Sequence, residues 1–158
     1  MRMKPIATWL WFGCALLLLS CDPPPERSTA LRILEMPTEQ RLRAMSELPP
    51  EKQVDVFLYA YTSVEPPKIL AGEVAQNWKV TLPVIKDRLA KESRESYLDG
   101  LMLTLSAISA RYCSLADRTD VLLVASRAVE KIGPPYRELA DEQLARLKQP
   151  SADLPPCR

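Results

Sequence analysis

Prolines punctuate this chain in a way that suits helices and little else. The pairs Pro49-Pro50, Pro66-Pro67 and Pro134-Pro135 stand in "LPPEK", "EPPKI" and "GPPYR", each directly before a run whose apolar residues recur three and four apart. Proline fits the first turn of a helix, where its missing N–H would have no partner anyway, and it is excluded from central strands. No alternating apolar and polar run bounded by turns occurs between the pairs. The spacing therefore predicts an all-α fold, a single helical domain of about six to seven short helices. Short helices joined by tight turns pack as antiparallel neighbours, in either an irregular bundle or a stack of helix pairs. The unequal helix lengths favour the stack. The three pairs set no fixed period and define no repeat.

The apolar positions outline each helix in turn. Leu42, Met45 and Leu48 share a side after Thr38, a fair N-cap. Pro49-Pro50 opens a helix to about Val64 with Val54, Phe57, Leu58 and Tyr61 as its stripe, and Pro66-Pro67 opens another with Ile69, Leu70, Val74 and Ala75 inward. Asn77 or Thr81 caps a helix carrying Ile85 and Leu89. Ser93 caps the longest, which runs to about Tyr112. Asp117 or Thr119 opens the next, which Gly133 ends. The last, from about Tyr136 to Gln149, shows Tyr136, Leu139, Ala140, Leu144 and Leu147.

The longest helix is expected at the centre of the core. Leu98, Leu101, Met102, Leu105 and Ile108 form one face and Leu103 adds a second, so most sides need burial. Gly100, Thr104 and Ala107 form a strip of small residues at helical spacing. Close approach of a neighbouring helix there explains a glycine that otherwise costs about 1 kcal/mol in a helix interior. The text "PVIKDRLAKESRESYLDGLMLTLSAIS" resembles a HEAT-style helix pair.

The first 20 residues read as a secretory signal. Arg2 and Lys4 give a positive start, and Ile6 to Leu19 form a 14-residue apolar core, too short for a spanning helix. Residues 18–21, "LLSC", resemble the lipobox of bacterial lipoprotein precursors. The resemblance implies that the Cys21 thiol takes a diacylglycerol and that cleavage leaves Cys21 as an acylated N-terminus. The bilayer is then the first partner, through Cys21. Asp22, directly after it, resembles the mark that retains lipoproteins in the inner membrane of enteric-type bacteria. The expected location is the bacterial cell envelope, lipid-anchored and facing the periplasm. "DPPPERS" reads as an extended Pro-rich tether over 21–28, about 20 Å long at polyproline rise, with the helical domain over 29–158.

Composition excludes several chemistries for the body. Beyond Arg2 and Lys4 the chain holds 19 basic and 20 acidic residues, net −1, which gives no nucleic-acid footprint. With no His and no Cys-x-x-Cys, no zinc or redox site is expected, and no metal or cofactor is implied. Serines occur without a Gly-x-Ser-x-Gly elbow or a histidine base, so no catalytic residue is assigned and the chain is not expected to be an enzyme. Glu92, Glu95 and Asp99 recur at helical spacing, and they read as a solvated face.

Of the four cysteines, Cys14 falls in the leader and Cys21 is the lipidation site, which leaves Cys113 and Cys157. An intramolecular disulfide between them is expected over two free thiols or a bridge between chains. Contact candidates are aromatic. Tyr59 and Tyr61 point about 160° apart on a helix, so one should reach the surface unless the helix is buried on two sides. Trp78 follows Gln76-Asn77 at a helix junction, where it either anchors a contact or packs in the core. The expected work is protein binding, similar in general build to envelope adaptors and to immunity lipoproteins that neutralise a toxin arriving in the periplasm. A small-molecule or lipid carrier with a cavity between helices is the second reading.

Overall fold

Helices take up most of residues 25–62 and 68–157, the part of the chain that the computed structural model describes, and no strand is found among them. Eight helices follow in order: α1 (Pro25–Leu34), α2 (Thr38–Ser46), α3 (Pro50–Tyr61), α4 (Lys68–Gln76), α5 (Trp78–Lys91), α6 (Glu95–Arg111), α7 (Thr119–Glu130) and α8 (Arg137–Leu147). The fold is all-α, as the proline spacing predicts. The helix beyond the expected six to seven is α1. Its start at Pro25 lies inside the stretch read as an extended tether, because a proline at the first helical position has a φ already suited to the helix. Ala30 and Ile33, three apart, then bury its inner side, and α1 packs on α3. The leader over 1–20, Cys21 and Asp22 lie outside the described residues, as do Val64 and Pro66-Pro67.

The helices form two rows rather than a closed bundle. α1, α3, α5 and α7 pack side by side in one row, α2, α4, α6 and α8 in the other, and successive helices join the rows as pairs. Connections of at most seven residues join successive helices, which therefore alternate in direction, so the helices of one row run the same way. The Asn77 amide donates to Gln53 Oε1 at 3.1 Å, joining the starts of α5 and α3. Lys131 Nζ donates to the Glu92 carbonyl at 3.1 Å, joining the ends of α7 and α5. One edge of the stack therefore holds the start of α1, the α2–α3 turn, the α4–α5 junction, the α6–α7 loop and the C-terminal tail. The opposite edge holds the α5–α6 and α7–α8 turns.

α6 is the centre of this arrangement, touching α3, α4, α5, α7 and α8. Leu98, Leu101, Met102, Leu105 and Ile108 are all buried, with Gly100 and Thr104 among them. A Cβ at Gly100 would sit 3.0 Å from Tyr61 Cδ1 and 3.4 Å from Leu58 Cδ2, so the glycine marks where α3 crosses α6. The Thr104 hydroxyl donates to the Gly100 carbonyl at 3.1 Å, satisfying a polar group inside the core.

Several helix ends differ from the expected caps. Ser93 does not cap α6; Arg94 holds that position, and Glu92 Oε1 accepts from the Ser93 and Arg94 N–H groups at 3.0 Å each. Arg118, not Asp117 or Thr119, precedes α7. Pro37 and Asn77 precede α2 and α5 without a side-chain cap bond, and Thr81 lies buried inside α5, donating to the Val74 carbonyl at 3.0 Å. On α8 the inward face is Ala140, Gln143, Leu144 and Leu147, so Tyr136 and Leu139 are exposed rather than inward.

Candidate interaction site

Two tyrosines and two arginines gather in one surface cleft. The last turns of α3 and α5 and the first turn of α6 enclose about 300 Å³ lined by Asp55, Leu58, Tyr59, Arg88, Glu92, Arg94 and Tyr97. The Arg88 guanidinium donates to Asp55 Oδ1, tying α5 to α3 along one wall. On the other wall Arg94 Nε and Nη2 donate to the two Glu92 oxygens at 2.9 and 2.7 Å. The Arg94 guanidinium carbon also lies 3.5 Å from the Tyr97 ring centroid, a stacked cation–π arrangement.

These bonds set the electrostatics. Glu92 is held down at about 2, chiefly by the Arg94 side-chain bond, and Arg94 is pushed up by the same bond. Each guanidinium thus carries an internal counter-ion. The cleft offers a fixed guanidinium face, two tyrosines and an apolar floor instead of a free charge. Such a set suits contact with a protein surface, where Tyr and Arg carry much of the binding energy.

The expected contact residues separate in space. Tyr59 is half-buried in the cleft. Tyr61 is half-buried too, because α3 packs on α1 and α5 as well as on α4 and α6. Its hydroxyl donates to Asp99 Oδ2, and its ring centroid lies 5.6 Å from that of Phe57. Burial, and then the bond to Asp99, pushes the Tyr61 phenol well above its ordinary range. Tyr61 is a packing residue. Trp78 lies at the opposite edge, packed on the core margin with Lys79 Nζ 5.9 Å from its ring.

The carboxylates Glu92, Glu95 and Asp99 do not form one solvated face. Glu92 lines the cleft, Glu95 accepts from the Gly133 N–H at 3.2 Å, and Asp99 is 2 % exposed. The Cys113 and Cys157 sulfurs, by contrast, lie 2.04 Å apart, at disulfide distance. Among the described residues no group of three or more cysteine or acidic side chains is placed to hold a metal ion, and no helix is long and apolar enough to cross a membrane. Arg94 and Tyr97, three apart at a helix start, were a readable pair. The Asp55–Arg88 bridge, 33 residues apart, left no local signal.

A second unforeseen feature is Glu73 of α4, 3 % exposed, with neither carboxylate oxygen hydrogen-bonded. Arg41 of α2 acts on it electrostatically, yet Arg41 Nη2 donates to Thr38 Oγ1 at 3.2 Å and its Nε is buried without a hydrogen bond. Burial raises Glu73 from 4.5 to about 7, against the lowering effect of Arg41. The neutral form is thus favoured in the fold. Its stabilisation is complete below about pH 4.5 and is lost as the pH rises through 7. Glu73→Gln should leave stability unchanged near pH 4 and raise it by up to about 3 kcal/mol at pH 8. Urea unfolding at the two pH values checks this; equal gains at both would show that ionisation is not the cause.

Compared with protein-family models, with curated proteins and with solved structures, the chain matches none.

Proposed function

We propose that the chain is a lipid-anchored protein-binding module of the bacterial cell envelope, acting as an adaptor or as an immunity-type protein. In this reading residues 1–20 are a lipoprotein signal, Cys21 carries the lipid, Asp22 favours the inner membrane, and the helical body faces the periplasm. "LLSC" at the end of a short apolar leader supports the anchor. The Tyr59–Arg88–Arg94–Tyr97 cleft carries the binding role. Its guanidinium groups are already neutralised and its geometry is braced from two helices, so a partner meets a preorganised surface with little ordering left to lose.

Two measurements test the proposal. Cys21→Ser should abolish incorporation of radiolabelled fatty acid and shift the chain out of the membrane fraction, since each buried methylene is worth roughly 0.8 kcal/mol of attachment. A photo-reactive amino acid at position 59 should give one discrete protein adduct in intact cells, and the same group at exposed Glu142 on α8 should give none. Adding Arg94→Ala to the position-59 probe should weaken the adduct. The absence of any protein adduct, with lipid co-purifying instead, would favour a carrier.

A further inference from the structure

The edge of the stack at which α1 begins is marked out by chain length. Only residues 22–24 separate Cys21 from Pro25, the first residue of α1. Whatever their conformation, a Cα-to-Cα span of four residue steps cannot exceed about 14 Å. If Cys21 is acylated, the start of α1 is held within that reach of the lipid surface, and the remaining starts in its row lie along the same edge. We infer that this edge is a bilayer-contacting surface, with the α4–α5 junction as its point of insertion. The inference rests on the lipid anchor proposed above and assigns the orientation of the body upon it.

The side chains at that junction have the chemistry of a membrane interface. Trp78 is half-buried, Lys79 stands beside its ring, and Val80 is 52 % exposed on the next position. Tryptophan favours the headgroup level because its ring is apolar and its N–H can stay hydrated, and a flanking lysine reaches outward to the phosphates. An exposed valine directly after them is costly in water and at home in the interface. Exposed charges along the edge carry both signs, Arg27, Lys79 and Lys148 against Glu47, Asp117 and Asp153, so contact should depend little on the charge of the lipid. The Tyr59–Tyr97 cleft is formed by the last turns of α3 and α5, away from this edge. It stays open to a partner while the body rests on the bilayer.

Trp78 is a built-in reporter, because Trp9 and Trp11 fall in the leader. The full chain is expressed in a bacterial host, purified with its lipid and reconstituted into vesicles of phosphatidylcholine, with and without phosphatidylglycerol, carrying brominated lipids. A Trp78→Phe variant supplies the background from any other tryptophan. Trp78 emission should be quenched by bromines near the headgroups, less by bromines at the chain ends, and equally with and without the anionic lipid. In a second variant, Trp78→Phe with Tyr136→Trp, the tryptophan moves to the opposite edge and its emission should be unchanged. Vesicle-bound protein with an unquenched Trp78, or with stronger quenching at position 136, overturns the orientation while leaving the anchor intact. A chain with no acyl mass on Cys21 that stays off the vesicles overturns the anchor and the orientation together.

Discussion

Gly100→Leu should lower the melting temperature by on the order of 10 °C, the effect of roughly 3 kcal/mol on a domain of this size. Local propensity points the other way. Leucine is the better helix former by about 0.8 kcal/mol, so an isolated α6 would gain from the change. Packing decides the sign. The added Cβ alone would lie 3.0 Å from Tyr61 Cδ1 and 3.3 Å from Tyr61 Cγ, and the rest of the leucine must occupy the space now filled by that ring. Tyr61 cannot swing aside freely, because its hydroxyl donates to Asp99 Oδ2 while Oδ1 of the same carboxylate is already buried without a partner. Displacing the ring combines overpacking, about 1–3 kcal/mol, with loss of the hydrogen bond from Tyr61 to the buried Asp99 carboxylate, about 1.5–3 kcal/mol. Gly100→Ala, which asks Tyr61 to yield by tenths of an ångström, should stay within about 1 kcal/mol of the parent. A double variant with Tyr61→Ala should lose less than the sum of the single losses, since the two side chains compete for one space. Thermal melts of the parent, the three single variants and the double variant check the set, and an unchanged Gly100→Leu melt would remove α6 from the centre of the core.

What the sequence disclosed follows from how locally each feature is encoded. α6 was legible because its apolar residues cover more than one face, and only a helix surrounded by others can bury such a pattern. The same holds for α3, whose stripe of Val54, Phe57 and Leu58 is buried along its length behind Pro50. α1 was hidden in part: three successive prolines suggest extended chain, and among its described side chains the buried ones are Ala30 and Ile33. The caps misled because Ser93, Asp117 and Thr119 are good acceptors by type, whereas the acceptor used before α6 is the Glu92 side chain. Tyr136 and Leu139 have helical spacing with Ala140, yet α8 turns the Gln143 side toward its neighbours.

The candidate site was less legible for a related reason. Tyr59 could be named as a contact residue from its angle on α3, but its companions come from α5 and α6 through the Asp55–Arg88 bridge and the α5–α6 turn. No local pattern encodes which arginine a distant aspartate will meet. Glu73 is the clearest case. Next to Val74 and Ala75, and four residues from Asn77, it has no sequence mark of burial, and its raised protonation arises because α2 packs on α4 there. A buried carboxylate of this kind is a tertiary fact, and a pH titration reads it where a pattern cannot.

Removing the Cys113–Cys157 link should have the other large effect, about 4 kcal/mol, or roughly 10–15 °C in melting temperature. The two cysteines are 44 positions apart, and closing a loop of that length takes conformational entropy chiefly from the unfolded chain. The folded side adds to it. The Ser114 N–H donates to the Pro155 carbonyl at 2.7 Å, and the Cys157 N–H donates to the Ser114 carbonyl at 2.9 Å, so the tail after α8 is laid against the α6–α7 loop. Two hydrogen bonds of that kind contribute only about 1 kcal/mol each and cannot hold an unlinked segment of extended chain against its own entropy. Cys113→Ala with Cys157→Ala should therefore release the tail as well as lower the melt. Limited trypsin digestion should cut after Lys148 in the variant and spare that bond in the parent. Both sulfurs belong to buried residues, 1 % and 3 % exposed, so dithiothreitol should reduce the parent quickly only in denaturant, seen as a mass gain after alkylation. Free thiols in the untreated protein, or an unchanged melt with a protected Lys148, would show that the tail is held by packing alone and that the cysteines are not joined.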